Sequence, residues 1–205
     1  MGEGLAKRVL IVDWDVHHGD GTQAAVIGDS TLRDGCCFVS IHRHDAEFWP
    51  KSGKVGEGGG GAHVVNVPLY GVGFGDSDYY RVFEAVIAPV AKRFKPDLVI
   101  VSAGYDCADG DKLGRFSVTA GGFNALTRLA LSLTNGAGLL VLEGGYDVDD
   151  TSGHGPLVSG VCASIDGLEA GPMELGGLPA GWRAGVRPET EAVVTEVLGA
   201  LPDQL

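Results

Sequence analysis

Five short apolar runs constrain this chain more than any other feature. They read RVLIVDWD (residues 8–15), CCFVSIH (36–42), HVVNVPL (63–69), PDLVIVSAG (96–104) and GLLVLEGG (138–145). None alternates polar with apolar residues, so each expects cover on both faces, as in a parallel sheet held between helical layers. Helical stretches separate the later runs. In DSDYYRVFEAVIAPVAKRF (76–94), Tyr79, Val82, Phe83, Val86, Ile87, Val90 and Phe94 recur at three- and four-residue spacing, with Asp76 or Ser77 as cap and a kink expected at Pro89. TAGGFNALTRLALSL (119–133) and GPLVSGVCASIDGL (155–168) predict two more helices. Beyond residue 170 the chain is Pro/Gly-rich up to Pro188, and ETEAVVTEVLGAL (189–201) predicts a closing helix. The expected class is α/β with a mainly parallel sheet, and 205 residues suffice for one core but not comfortably for two.

Composition narrows the function. A net charge of -12 argues against direct nucleic-acid binding, which needs clustered Lys and Arg, and is compatible with a basic partner or substrate. No apolar run approaches membrane-spanning length, and no signal peptide is read at the start. Cys36, Cys37, Cys107 and Cys162 form no familiar disulfide or C-x-x-C pattern, so reduced thiols in a cytosolic or nuclear, non-secreted protein are expected. The 34 glycines cluster in loops such as GEGGGGAH and LEGGYD, where the backbone turns sharply or approaches something closely.

The chemistry gathers where strands end. DWDVHHGDGTQ packs Asp13, Asp15, His17, His18 and Asp20 directly after an apolar run. Asp13, Asp15 and His17 are two apart, so on an extended strand they share one face while Trp14, Val16 and His18 share the other. SAGYDCADGD places Asp106 just past another strand, and LEGGYD places Tyr146 after two glycines. Parallel strands bring these ends to one edge, where α/β sheets gather ligands. Two of these carboxylates with the His17 imidazole would leave one coordination position open, the pattern of catalytic zinc, and a tyrosine hydroxyl opposite could donate to a developing oxyanion. That set supports hydrolysis of an amide or ester. A plainer structural reading also suits the spacing: Asp-x-Asp can cap a following helix, and a buried histidine is usually just hydrogen-bonded. Cys107 is read as packing.

DWDVHHGDGTQ, VSIHRHDAEFWPKSG, GEGGGGAHVVNVPL, VSAGYDCADGDKLG and LEGGYD together resemble the zinc-dependent histone deacetylases, nearer class II, over about residues 8–168. The resemblance implies an arginase-like three-layer α/β fold and zinc held by Asp15, His17 and Asp106. It implies Tyr146 as the transition-state hydrogen-bond donor, and Asp13 and Asp20 as the carboxylates that orient a catalytic histidine pair. It also implies a structural potassium ion at Asp13, at backbone oxygens of Asp15, His17 and Ile41, and at the Ser40 hydroxyl. The acyl-lysine tunnel would be lined by Trp49, Leu113, Gly144 and Gly145. Leu113 stands where polyamine-specific relatives carry an acidic gatekeeper, which points to acetyl-lysine on a histone or other protein, with a corepressor-type complex as a possible setting. His18 has no ligand role in the family.

One family feature is not found. The histidine pair that serves as general base lies upstream of the DWDVHHG strand in the family, and this sequence holds no His-His pair besides His17–His18. Such a base is worth roughly a hundred- to ten-thousand-fold in rate. The expectation is therefore residues 1–170 as the carboxyl-terminal part of a catalytic domain, 171–205 as its connection and closing helix, and a longer protein or a partner chain to supply the amino-terminal strands. Two other readings stay open: an amidohydrolase of acetylpolyamines or other small amides, and a catalytically inactive metal-binding scaffold.

Overall fold

In a computed structural model of the chain, residues 6–45, 47–58, 63–147 and 155–201 are described; most of the glycine run in GEGGGGAH lies outside them. Five strands form one all-parallel sheet: β1 (Val9–Asp13), β2 (Cys36–Arg43), β3 (Val64–Leu69), β4 (Leu98–Ala103) and β5 (Gly138–Leu142). Their order is β3-β2-β1-β4-β5. The chain thus winds outward from β1 on one side, then crosses to β4 and winds outward on the other. The reversal lies between β1 and β4, and such a switch point leaves a crevice at the carboxyl ends of the strands.

Register carries the apolar runs onto two faces. Leu10, Val12, Cys37, Val39, Val99 and Val101 lie in the main core. On that side pack α3 (Asp76–Val82), α4 (Ala88–Phe94), α5 (Ala120–Ser132) and α7 (Pro188–Ala200), with α6 (Pro156–Ala170) against α5. On the other face Phe38 and Cys36 meet Val26 of α1 (Asp20–Gly28), with α2 (Ser30–Gly35) beside it. Helix, sheet and helix make three layers. β5 is an edge strand, and Leu139, Val141 and Leu142 on it are exposed, as are Val158, Ile165 and Leu168 of α6.

The structure corrects several boundaries. The first strand stops at Asp13 rather than residue 15, and the Trp14 amide donates to the Ser102 carbonyl at 3.2 Å as the chain leaves the sheet. α1 and α2 stand where no helix was expected; α1 buries only Gln23 and Val26, and α2 buries nothing, so neither has a legible apolar stripe. The 76–94 helix is one helical run with a π segment at Phe83–Ile87, in which the Ala88 amide reaches the Phe83 carbonyl. Pro89 has no N–H to give, and the wide turn sits just before it. The carboxyl-terminal stretch joins the same core through Leu178, Trp182, Val193, Val194 and Val197. Buried Asp78 of α3 accepts from the Arg187 amide (3.0 Å) and the Thr190 hydroxyl (2.6 Å), fastening α7 in place. Among the described residues no helix is long and apolar enough to cross a membrane.

Candidate metal and catalytic site

Three side chains converge at the carboxyl ends of β1 and β4. Asp15 and His17 follow β1, and Asp106 follows β4. His17 Nδ1 lies 3.0 Å from Asp15 Oδ1 and 3.0 Å from Asp106 Oδ2. One ligand atom from each residue lies within 4.8 Å of the other two. Although Asp15 and His17 lie past the strand proper, alternation persists: Trp14 and Val16 are buried in the main core between them.

Backbone amides hold each carboxylate. Asp15 Oδ1 accepts from the His17 amide (2.8 Å) and its Oδ2 from the Gly144 amide (2.9 Å). Asp106 Oδ1 accepts from the Val16 amide (2.9 Å), and Asp13 Oδ1 from the Asp15 amide (3.0 Å). These bonds fix the carboxylates independently of any ion. Gly144 could be no other residue: a Cβ there would lie 2.3 Å from Asp106 Oδ2 and 2.4 Å from Asp15 Oδ2.

The electrostatics are those of a site built around positive charge. Asp13, Asp15 and Asp106 are all buried, and burying unpaired carboxylates is costly. Burial and the neighbouring Asp15 push the Asp13 carboxyl well above its usual range. Burial also raises Asp106, with Asp15 adding to the effect. Burial acts to lower His17, but Asp106 and Asp15 outweigh it and raise the imidazole to about 9. Asp106 Oδ2 is fully buried and accepts no well-aligned hydrogen bond, the His17 imidazole lying 3.0 Å from it. That oxygen, with Asp15 Oδ1 and His17 Nδ1, is a carboxylate–carboxylate–imidazole donor set of the kind that holds a divalent metal with a position left open. The residues present fit such an ion.

Tyr146 is 62 % exposed, and its ring centroid is 6.4 Å from that of His17, edge-on. Gly145 follows Gly144 with φ at 129°. Trp49 (71 % exposed) and Leu113 (48 %) stand on the surface. Asp13 pairs across the sheet with Ser40 of β2, whose hydroxyl is 2.9 Å from His42 Nδ1; Ile41 is buried beside it. Asp20 is exposed at the start of α1. His18 turns away, its Nδ1 2.8 Å from the Ser52 hydroxyl and its Nε2 3.0 Å from Gln23 Oε1. Cys107 is buried in the core. A cavity of about 190 Å³ opens beside the carboxylates, lined by Asp13, Asp15, His17, Ser102 and Glu143 among others.

Phe48 escaped the sequence reading. Its ring stacks on the His17 imidazole at 5.0 Å and 8°. It stands next to Trp49 in EFWP, and nothing local in sequence distinguishes which aromatic turns inward.

The chain has relatives that identify its family. The Histone deacetylase domain family matches residues 2–156. Over 153 residues the chain is 47 % identical to "Histone deacetylase 6" of Caenorhabditis elegans, covering 72 % of this chain and 16 % of that protein. It is 44 % identical over 151 residues to "Histone deacetylase 15" of Arabidopsis thaliana, covering 72 % and 27 %. The solved structure of the histone deacetylase Clr3 superposes with a TM-score of 0.81 at 35 % identity, covering 95 % of this chain and 31 % of that one. The chain thus spans under a third of the length of these proteins. It belongs to the histone deacetylase family, on its class II-like side.

Proposed function

We propose that the chain carries the metal-binding and tyrosine half of a zinc-dependent lysine deacetylase site. The convergence of Asp15 Oδ1, His17 Nδ1 and the buried Asp106 Oδ2 supports this reading more than any other observation. A zinc ion held there would polarise the acetyl carbonyl and make a bound water more acidic. The chain's own residues do the remaining work. Asp15, His17 and Asp106 hold their donor atoms in place through the amide bonds to His17, Gly144 and Val16. The Tyr146 hydroxyl donates to the acetyl carbonyl oxygen as that oxygen gains charge. Trp49, Leu113, Gly144 and Gly145 line the path of the acyl-lysine chain and limit water there.

The remaining assignments belong to the same proposal. Asp13, the backbone oxygens of Asp15, His17 and Ile41, and the Ser40 hydroxyl would hold a structural potassium ion. The closeness of Ser40 Oγ to His42 Nδ1 favours this: His42 Nε2 lies 2.9 Å from the Gly53 carbonyl and donates to it, so Nδ1 accepts the Ser40 proton and leaves the hydroxyl's lone pairs for a cation. Asp13 and Asp20 orient the proton acceptor, which sits in the cavity beside Asp13 and comes from outside this chain. Residues 1–170 are read as the carboxyl-terminal part of the catalytic domain and 171–205 as its connection and closing helix. The substrate is acetyl-lysine on a histone or other protein, in the nucleus or cytoplasm, within a corepressor-type assembly.

The test is Asp106→Ala in the complete catalytic domain. Zinc content and acetyl-lysine turnover should both be lost. Retention of both would end the proposal.

A further inference from the structure

The site contains a second tier that the mechanism above does not use. Phe48 carries the His17 imidazole on its ring, and the Arg43 guanidinium lies over the same ring, 4.3 Å from its centroid. Arg43 is not a loose surface side chain: it is 13 % exposed. Its Nε donates to Asp45 Oδ2 at 2.6 Å, its Nη2 lies 2.5 Å from the same oxygen, and its Nη1 donates to the Gly114 carbonyl at 3.3 Å. Its backbone amide donates to the Val16 carbonyl at 2.8 Å. Gly114 in turn packs so closely on Asp106 that a Cβ there would lie 1.9 Å from the Asp106 carbonyl oxygen. One residue therefore touches the backbone just before His17, the ring stacked on His17, and the loop packed on Asp106.

We propose that Arg43 is a positioning residue for the metal centre, holding the His17 imidazole in its ligating orientation through Phe48. The proposal rests on the reading that Asp15, His17 and Asp106 bind a divalent metal. An imidazole is joined to its backbone by two rotatable bonds, and a group packed on its face narrows the orientations left open by the contacts of Nδ1 with Asp15 and Asp106. Phe48 supplies that face, and the guanidinium, pinned by Asp45 and Gly114, keeps the phenyl ring from swinging away through a cation–π contact. Arginine suits the task because its planar fork can grip Asp45 and the Gly114 carbonyl while its face lies on the ring; lysine would keep the charge and lose the fork. Groups that orient a ligand from behind are typically worth ten- to a hundredfold in metal affinity.

The experiment measures Co²⁺ and Zn²⁺ affinity, the Co²⁺ visible spectrum and the metal-free melting temperature. The chains compared are the full chain, Arg43→Met, Arg43→Lys, Phe48→Leu and the Arg43→Met/Phe48→Leu double variant, with Asp106→Ala alongside. Arg43→Met should weaken metal binding about tenfold and change the Co²⁺ spectrum. Arg43→Lys should recover part of that loss. Phe48→Leu should lose about as much, and the double variant no more than the larger single, because the two residues act in series. Unchanged affinity and spectrum in Arg43→Met would overturn the proposal, as would losses that multiply in the double variant. Should Arg43→Met fail to fold, Arg43→Lys and Phe48→Leu carry the same test: full metal affinity in both overturns it. Wild-type metal binding in Asp106→Ala would instead strike down the metal site itself, so the two failures are distinguishable.

Discussion

The amide of Gly144 donates to Asp15 Oδ2 at 2.9 Å, and the α-carbon that follows it faces Asp106 so closely that even a methyl group would meet Oδ2 at 2.3 Å. A residue on β5's exit loop thus sets both the position and the clearance of two carboxylates from other strands. Gly144→Ala should weaken metal binding by at least about tenfold without unfolding the core, since the added carbon enters the site rather than the sheet. Metal titration beside a thermal melt checks this; tight binding in the variant would contradict it.

Metal uptake should release a proton. Burial opposes charge on His17, but Asp106 and Asp15 prevail and hold the metal-free imidazole at about 9, so it is protonated at pH 7. A metal ligand must be neutral imidazole, so binding at pH 7 displaces that proton. Calorimetry in two buffers of different ionisation enthalpy should show close to one proton released, and none from His17 once pH exceeds about 9. The sign for stability follows. A folded value above the unfolded one stabilises the metal-free fold fully below about 6.5, and that contribution is lost as pH rises through 9. His17→Ala should flatten that part of the pH–stability curve.

His42 works in the opposite direction. It is completely buried, bonded at both ring nitrogens, and burial, with His18 adding to it, holds it down to about 3. The unfolded chain takes up this proton near pH 6.5 and the folded chain does not until about 3, so stability falls as pH drops through that window. Urea midpoints at pH 7 and pH 5 should show the loss. His42→Gln should be less stable at pH 7 but lose less between the two pH values; an equal acid loss in both chains would refute the assignment.

Two further side chains of the proposed site predict rate and choice. In the complete domain, Tyr146→Phe should lower kcat roughly a hundredfold or more with zinc content unchanged, as expected for loss of one oxyanion donor. Leu113→Glu should shift preference from acetyl-lysine peptide toward acetylspermidine, because a carboxylate at this half-exposed position would meet the polyamine's distal ammonium. Paired turnover assays decide it: an unmoved ratio removes Leu113 from the specificity argument.

The five strands were legible because each apolar run has no polar face to misassign, although β5, expected to be covered on both faces, leaves Leu139, Val141 and Leu142 exposed at the sheet edge. α1 and α2 were not, since Gln23 and Val26 are their only buried side chains. The π segment at Phe83–Ile87 leaves the three- and four-residue spacing nearly intact, so only Pro89 hinted at it. That His17 and aspartates of two strands would meet could be read from strand ends, because a parallel sheet gathers those ends; the choice of Asp15 and Asp106 over Asp13 rested on the resemblance to the family. The Arg43–Phe48–His17 stack could not, since it depends on how the loop after β2 folds back.

The most direct measurement is the zinc content of the purified chain by native mass spectrometry, compared with that of Asp106→Ala. One zinc per wild-type chain and none in the variant, with both chains folded by circular dichroism, is the predicted result. Equal zinc in both, or none in a folded wild-type chain supplied with zinc, would contradict the account.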